Sequence, residues 1–307
     1  MSRHLLKKED FESIFGESFS GRVGEKIDGY ELAFEDLLLA ERDATILKVL
    51  EVLAAPDIVR AGEHRIDQWD IGWGENLDAL RKGEPEAMIP RYFGKYPIGR
   101  WKQQFVKPAS PRYEYNMLAS IQDWLFDRYL KDVSSVYEFG CGTGHNLVRA
   151  REANPHAVLY GLDWAASSQE IIALFSEEKR DKKMRGIKFD MFHPDRTVSL
   201  DPESGIYTIA ALEQIGDGFM DFVSYCREQR PSICIHVEPI GELLDPKNLV
   251  DYLSLRYFEK RNYLKGYLHY LRSLENEGKI TIHRAQRSYI GSLFIEGYSI
   301  IVWSPKI

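Results

Sequence analysis

The residues with the clearest chemical potential lie in the stretch YEFGCGTGHN, residues 137–146. Three glycines alternate there, Gly140, Gly142 and Gly144, and an acid, Glu138, precedes them. Glycine tolerates positive φ angles and lets the backbone approach a ligand closely. A helix that begins at such a turn also offers unpaired N–H groups with a partial positive charge. The spacing therefore predicts a ligand-binding turn between a strand and a helix.

Dinucleotide cofactors require a different glycine spacing. Their G-x-G-x-x-G pattern places a pyrophosphate on the helix N-terminus and needs a third glycine for close packing. Counted from Gly140, that third position holds His145. The pattern therefore argues against NAD or FAD as the ligand.

The elements that must position this turn alternate between strands and helices from residue 133 onward. A long helical stretch at residues 246–276 and two strands in a terminal hairpin follow. This alternation predicts an α/β fold with a parallel sheet and right-handed crossovers. Open sheets of this kind bind ligands at the carboxyl ends of their strands. The five predicted parallel strands span residues 133–140, 157–164, 186–192, 205–212 and 232–240.

After the first of these strands, the run E-F-G-C-G-T-G resembles motif I of the class I S-adenosylmethionine-dependent methyltransferases, (D/E)-x-G-x-G-x-G. Asp163 ends the second strand and Asp190 lies on the third, where that family has acids, and the run ALEQIG at 211–216 follows the fourth strand. The resemblance covers residues 115–307. It implies a Rossmann-like, mostly parallel seven-stranded sheet in the order 3-2-1-4-5-7-6, with helices on both faces.

The same resemblance implies S-adenosylmethionine as the methyl donor, S-adenosylhomocysteine as the product, and no metal. It implies that Glu138 shapes the glycine loop and reaches toward the amino group of the cofactor, usually through water. Asp163 would accept hydrogen bonds from both ribose hydroxyls, and Asp190 would contact the adenine amino group with Met191 beside the ring. The expected cofactor-binding residues are Glu138, Gly140, Cys141, Gly142, Gly144, Asp163, Trp164, Asp190, Met191 and Ala211.

Methyl transfer requires alignment, and it also requires removal of a proton when the acceptor is a hydroxyl or an ammonium. Glu213, just past the fourth strand, is the first choice as the general base. His236 and Glu238 share one face of the fifth strand because strand side chains alternate, and His193 follows the third strand. Each has a structural alternative: helix capping or a bond to Gln214 for Glu213, loop ordering for His193, and core packing for His236.

Cationic and aromatic side chains predict contacts with the methyl acceptor. Tyrosines on the predicted helix 246–276 share one face, and arginine offers bidentate contacts to anions. This favours a small phosphorylated or carboxylated acceptor, such as a nucleotide-linked sugar or a secondary metabolite. Packing of the tyrosines in the core is the alternative. The predicted substrate-binding residues are Arg112, Tyr115, Arg256, Tyr263 and Tyr267.

The first 110 residues follow another pattern. Residues 29–53 carry apolar side chains at helical spacing without internal breakers, which predicts one long amphipathic helix. Trp69 and Trp73 precede a short helical pattern. We therefore expect residues 1–110 to form an α-helical extension that acts as a lid or as a homodimer contact. Residues 111–307 would form the cofactor-binding domain.

Composition narrows the function classes. The 307 residues are 44% hydrophobic and carry a net charge of −7, which argues against an extended nucleic-acid surface. Three cysteines show neither a disulfide framework nor metal-ligand spacing.

No apolar run approaches the roughly 20 residues that span a bilayer, and the N-terminus lacks the apolar region of a signal peptide. We expect a cytoplasmic protein with a small-molecule substrate, and neither nucleic acid nor membrane as a partner.

Two alternatives remain open at this level. The protein could methylate a macromolecule, although the run ALEQ lacks the N/D-P-P-Y/F pattern of adenine-N6 enzymes and contains one glutamate where protein-arginine enzymes have two. It could also bind the cofactor without transferring a methyl group and use its N-terminal region for interactions, since fold does not determine function.

Overall fold

The helices and strands were located in a computed structural model, which describes residues 2–84 and 86–306. The strands are β1 (Arg3–Leu5), β2 (Ala33–Asp36), β3 (Gly99–Trp101), β4 (Gln104–Pro108), β5 (Ser135–Phe139), β6 (Val158–Asp163), β7 (Met184–Lys188), β8 (Ser204–Ile209), β9 (Ile233–Glu238), β10 (Ile280–Gln286), β11 (Ile290–Ser292) and β12 (Ser299–Pro305). The helices are α1 (Lys8–Phe15), α2 (Gly21–Asp28), α3 (Leu39–Ala54), α4 (Ile66–Arg81), α5 (Tyr113–Tyr129), α6 (His145–Ala153), α7 (Ala166–Glu178), α8 (Phe219–Gln229), α9 (Leu249–Arg261) and α10 (Tyr267–Asn276).

The larger sheet has seven strands in the order β10-β12-β9-β8-β5-β6-β7. Strands β5 to β9 pair in parallel, and the terminal strands β12 and β10 pair antiparallel. Every residue of β5, β8 and β9 is buried, as expected for parallel strands covered on both faces. Numbered along the chain from β5, the order reads 3-2-1-4-5-7-6. The predicted sheet is therefore confirmed.

The N-terminal region differs from the predicted α-helical extension because it also contains strands. A second, antiparallel sheet has the order β1-β2-β4-β3-β11, and its last strand comes from the C-terminal part of the chain. The predicted helix at 29–53 is interrupted, since β2 pairs with β1 and β4 and buries Phe34. Pairing with distant segments here overrides the helical pattern of the local sequence.

The two sheets share one apolar core. Phe34 of β2 and Trp101 of β3 belong to the same buried cluster as Val136 of β5 and Val302 of β12. Within the described residues, no helix is long and apolar enough to cross a membrane.

The long helix predicted at 246–276 is two helices. Helix α9 ends at Arg261, because Asn262 adopts a left-handed conformation (φ 56°) that stops the helix. Helix α10 begins after Gly266, which is also left-handed (φ 79°). Tyr263 therefore lies in the connection, and it does not share a helical face with Tyr267.

Candidate cofactor and acceptor site

The glycine turn after β5 requires glycine for both conformation and space. Gly140, Gly142 and Gly144 have φ angles of 73°, 51° and 73°, where other residues are strained. A Cβ atom on Gly140 would lie 2.4 Å from the Cβ of Ala211, and one on Gly142 would lie 2.8 Å from the ring of Trp73. These side chains therefore pack directly on the bare backbone.

Asp163, the last residue of β6, holds this turn. Its Oδ2 accepts a hydrogen bond from the N–H of Gly142 (2.8 Å), and its Oδ1 accepts one from the N–H of Ala165 (2.9 Å). Burial raises the pKa of Asp163 to about 6, and these backbone donors oppose the shift. Each carboxylate oxygen has more than one lone pair, so Asp163 can still accept hydrogen bonds from a ligand in the crevice.

Glu138 is fully buried within β5. One of its oxygens accepts a hydrogen bond from the Asn146 amide (2.6 Å), and the other accepts one from the Tyr207 hydroxyl (3.0 Å). Burial raises its pKa to about 8 despite both donors. These contacts join the start of α6 to β5 and β8, so Glu138 stabilises the two elements that flank the glycine turn.

A cavity opens at the carboxyl ends of the strands beside this turn. Among the predicted cofactor residues, Gly140, Asp163, Trp164, Met191 and Ala211 line it. Asp190 follows the end of β7 and accepts a hydrogen bond from the N–H of Phe192 (2.8 Å) without lining the cavity. The sequence-based prediction missed Phe189, Phe192, Ala210, Gln214 and Ile215, although each lies within a few residues of a predicted position.

Helix α4 covers the mouth of this cavity. The rings of Trp69 and Trp73 stack at 5.4 Å and line it. Asp70 of α4 accepts hydrogen bonds from the N–H (2.9 Å) and the hydroxyl (2.7 Å) of Ser167 in the first turn of α7. Helix α7 has no capping side chain at its own N-cap residue, Ala165. Asp70 therefore supplies a cap and fixes α4 over the crevice.

Glu213 lies in the short helical turn Leu212–Ile215 between two cavity-lining residues, Ala211 and Gln214. It is only 6% exposed, its Oε1 accepts a hydrogen bond from the Gln214 amide (2.9 Å), and its Oε2 has no partner among the described residues. Burial raises its pKa, while the Gln214 amide, the charge of Arg261 and the hydroxyl of the neighbouring Tyr263 oppose the shift. The geometry thus provides a buried carboxylate with one free oxygen next to the cavity.

Glu238 is buried and its oxygens are occupied. Its Oε1 accepts hydrogen bonds from the N–H groups of Ala211 (3.1 Å) and Leu212 (3.0 Å), and its Oε2 accepts one from that of Glu213 (3.2 Å). Burial and then the neighbouring Glu213 carboxyl raise its pKa. The position of Glu238 suits it to hold the turn that carries Glu213.

The two candidate histidines lie away from the cavity. His236 is completely buried, contacts the Thr208 hydroxyl (2.9 Å) and packs against Tyr267; burial lowers its pKa to about 3, so it is neutral. His193 is largely exposed and pairs with Glu63 (2.7 Å). Of the four predicted catalytic residues, Glu213 alone combines a position beside the cavity with a free oxygen.

The predicted acceptor-binding residues are dispersed. Arg112 and Arg256 are exposed, and Arg256 pairs with Glu259 on its own helix. Tyr267 is fully buried in the core, and Tyr115 lies under the guanidinium of Arg149 (5.1 Å). Tyr263 is the one that lies near Glu213, whose charge helps to raise the pKa of the tyrosine. Two arginines flank this carboxyl, Arg65 and Arg261. Arg261 belongs to the cationic segment 246–276 that the sequence indicates as an acceptor wall, whereas sequence reasoning missed Arg65.

Neither a metal site nor an activated thiol accompanies the glycine turn in the described residues. Across residues 2–84 and 86–306, no group of three or more His, Cys, Asp or Glu side chains is arranged to hold a metal ion. Cys141 is buried between glycines, and desolvation raises its pKa well above the usual value, which makes it a poor nucleophile.

No protein-family model matches the chain, and no curated protein matches its sequence. Solved structures do match. An O-methyltransferase of neocarzinostatin biosynthesis, crystallised with S-adenosylmethionine and a naphthoic acid, is 14% identical over 78% of this chain and 70% of its own (TM-score 0.43). Geranyl diphosphate C-methyltransferase from Streptomyces coelicolor A3(2) is 15% identical over 65% and 86% (TM-score 0.42). Magnesium protoporphyrin IX methyltransferase from Synechocystis PCC 6803 is 14% identical over 63% and 84% (TM-score 0.45).

The chain has the class I methyltransferase fold. The order of the seven strands and the antiparallel last pair carry this assignment. Within this fold, the cavity beside Gly140 and Asp163 lies outside the carboxyl ends of β5 and β6, where open α/β sheets bind ligands.

Proposed function

We propose that the protein is an S-adenosylmethionine-dependent methyltransferase that acts on a small polar metabolite. The observation that carries the proposal is the pairing of Asp163 with the glycine turn. A buried acid at the end of β6 binds the N–H of Gly142 and lines a cavity with apolar walls. An adenosine needs an acceptor for its ribose hydroxyls and an apolar surface for its ring, and this cavity offers both.

The residues present fit the cofactor. The bare backbone of Gly140 and Gly142 lets Ala211 and Trp73 pack directly against the turn at the edge of the cavity, and Trp164, Met191 and Phe192 offer surfaces for the adenine. When bound, S-adenosylmethionine would supply a methyl group on a sulfonium: the acceptor atom would bond to the methyl carbon as the carbon–sulfur bond breaks, and S-adenosylhomocysteine would leave as a neutral sulfide. The walls of the cavity would exclude water and orient the two reactants.

Glu213 is the proposed general base. Its free Oε2 is available to receive a proton from an acceptor hydroxyl or ammonium, and burial raises its pKa toward the range in which a carboxylate exchanges protons near neutral pH. Glu238 acts as a positioning residue, since its carboxylate binds the N–H of Glu213 itself.

The position of helix α4 over the cavity favours a small acceptor over a polymeric one. Trp69 and Trp73 close one side of the cavity, and Asp70 anchors the helix to α7. A nucleic acid or protein chain would have to displace this helix. The net charge of −7 further disfavours nucleic acid. A sugar, nucleotide-linked sugar or secondary metabolite fits these limits.

Calorimetric titration tests the cofactor assignment. S-adenosylhomocysteine and NAD are titrated into the wild-type protein, the Asp163→Asn variant and a matched control, Asp195→Asn, in which the changed residue lies in an exposed loop. We expect micromolar binding of S-adenosylhomocysteine by the wild type and the control, and a loss of about 100-fold in Asp163→Asn, on the scale of a hydrogen bond to a charged group. Binding of NAD, or of neither ligand, would overturn the assignment.

A methyl-transfer assay distinguishes an enzyme from a protein that only binds the cofactor. Radiolabelled S-adenosylmethionine is incubated with panels of phenols, amines, carboxylates and phosphorylated sugars, with Glu213→Gln as the comparison. Label transfer that Glu213→Gln lowers by at least 100-fold supports base catalysis. Cofactor binding without transfer to any acceptor class would support the interaction role instead.

A further inference from the structure

Arg65 is a buried arginine beside Gln214, which lines the cavity. It is 8% exposed, its Nη1 donates to the Gln214 side-chain oxygen (2.7 Å) and its Nε to that of Gln68 (3.0 Å). Its guanidinium lies 4.7 Å from the ring of Trp69. Neutral amides thus hold it in place, and no described carboxylate lies within 4.0 Å of its nitrogens.

Arg261 ends α9 and faces the same place. Its guanidinium lies 5.4 Å from the ring of Tyr263 and 6.0 Å from that of Tyr257. Its Nε is buried without a partner, and it forms no ion pair within the part of the chain that the structure describes. The backbone carbonyl of Arg261 accepts a hydrogen bond from the N–H of Ala61 (2.7 Å), which brings the segment before α4 against the end of α9.

The two guanidiniums lie close enough to influence each other. Burial and then the positive charge of Arg261 lower the pKa of Arg65. Glu213 is the acid that acts on both arginines, and one of its oxygens is unpartnered. Two cations therefore share one carboxyl, whose ionisation burial opposes, so the group keeps at least one uncompensated positive charge. Buried charges are normally paired, and this arrangement therefore favours an added anion.

The walls next to this charge are aromatic. Tyr257 stacks on Phe294 at 5.0 Å with an angle of 11° between the rings, and Tyr96 contacts the same phenylalanine edge-on at 5.2 Å. Tyr263 contacts Tyr257 at 6.2 Å. A flat acceptor body with one anionic group matches this combination of rings and guanidiniums.

We propose that Arg65 and Arg261 bind a carboxylate or phosphate group of the methyl acceptor and hold the acceptor against Glu213. This proposal rests on the proposed methyltransferase function and names the substrate class of the same site. The bound anion offsets the two guanidinium charges that stabilise the ionised form of Glu213. Glu213 therefore becomes a stronger base when the acceptor is in place.

The binding of anionic probes to the protein saturated with S-adenosylhomocysteine tests the proposed site. Phenyl phosphate, benzoate and neutral phenol are titrated by calorimetry at constant ionic strength. The variants are Arg65→Gln, Arg261→Gln and their lysine counterparts. Arg256→Gln is the matched control, since it removes an exposed arginine from the same helix as Arg261.

At least one anionic probe should bind the wild type and Arg256→Gln more tightly than phenol does. Each glutamine variant should weaken that binding by roughly 10- to 100-fold, as for loss of a hydrogen bond to a charged group, and the lysine variants should retain part of it. Tighter binding of phenyl phosphate identifies a phosphate site, and tighter binding of benzoate identifies a carboxylate site. Both results support the proposal.

Equal binding of phenol and the anions, or anion binding that neither glutamine variant weakens, would overturn the proposal. Titration of S-adenosylhomocysteine into each variant separately reports whether the cofactor cavity is intact. Its affinity should be unchanged in Arg261→Gln, because the rings that Arg261 contacts do not line the cavity. If the wild type does not bind S-adenosylhomocysteine, the proposed function fails. The anion titrations on the free protein then still decide whether the arginines form an anion site.

Discussion

The two ends of the crevice differ in how their charged groups are satisfied. At the cofactor end, both oxygens of Asp163 and of Glu138 accept hydrogen bonds from the protein itself. At the end proposed for the acceptor, the Oε2 of Glu213 and the Nε of Arg261 are buried without partners among the described residues. The first end is held in shape by the fold, whereas the second has groups that a ligand would complete.

Glu238, at the end of β9, and Glu213, on the turn after β8, show the same contrast. Glu238 binds three backbone N–H groups of the turn, and Glu213, on that turn, keeps a free oxygen. A carboxylate whose two oxygens both accept hydrogen bonds from the turn positions its neighbours, and one with an unpartnered oxygen can exchange a proton. Variants at the two ends should therefore affect stability and chemistry in different proportions.

The largest effect is expected from Gly140→Ala at the cofactor end. The new Cβ atom would meet Ala211 at 2.4 Å in a backbone with φ 73°, so we expect cofactor binding to be abolished and stability to fall by about 3 kcal/mol. Gly278→Ala is the matched control, since Gly278 has the same φ and no atom within 4 Å. Calorimetry measures cofactor binding by both variants, and denaturant unfolding measures their stability. Equal behaviour of the two variants would show that the contact with Ala211 does not shape the site.

Glu238→Ala should be the next largest change. Three buried N–H groups would lose their acceptor, which should cost about 3 kcal/mol of stability as well as activity.

Glu213→Gln should leave stability within about 1 kcal/mol of the wild type while abolishing turnover. Urea unfolding and methyl-transfer rates compare the two variants. If Glu213→Gln proved the more destabilising, the division between positioning and chemistry would be wrong.

Stability should depend on pH in a direction set by the buried acids. The pKa values of Asp163, Glu114 and Glu138 are raised to about 6, 7 and 8, in each case chiefly by burial. The folded protein thus holds protons that the unfolded chain releases, so the stability contributed by these acids is fully present below their unfolded pKa values and is lost as pH rises through the folded values. Thermal unfolding between pH 5 and pH 8.5 should show this decline, with a smaller slope in Glu138→Gln. Rising stability over this interval would contradict the burial of these acids.

The smallest effect is expected at the helix that covers the cavity. Asp70→Ala removes the cap of α7 and the anchor of α4, which should cost about 1 kcal/mol and speed the release of S-adenosylhomocysteine several-fold. Asp67→Ala, an exposed change in the first turn of the same helix, is the control. Stopped-flow tryptophan fluorescence follows release, because Trp69 and Trp73 line the cavity. Identical release rates would mean that α4 does not retain the ligand.

The sequence allowed the central sheet and the cofactor end to be predicted, because both depend on local patterns. Apolar runs mark β5, β6, β8 and β9, and the glycine spacing marks the turn that follows β5. The resemblance to class I methyltransferases then implied the sheet order, including the antiparallel terminal pair, which the structure confirms.

The rest depends on contacts between distant segments, which local patterns do not encode. Strand β11 completes the N-terminal sheet by pairing Ile290 with Trp101, and neither segment alone indicates this pairing. The break between α9 and α10 rests on Asn262 in a left-handed conformation. Arg65 and Arg261 lie far apart in the chain, and their segments are brought together by contacts such as the hydrogen bonds of Ala61 with Arg261 and Asn262.

A crystal structure of the complex with S-adenosylhomocysteine tests the central claim most directly. We expect the ligand in the cavity beside the glycine turn, with its ribose hydroxyls on Asp163 and its sulfur directed toward Glu213. A ligand bound outside this cavity, or one whose sulfur points away from Glu213, would contradict the assignment of a cofactor end and an acceptor end to this crevice.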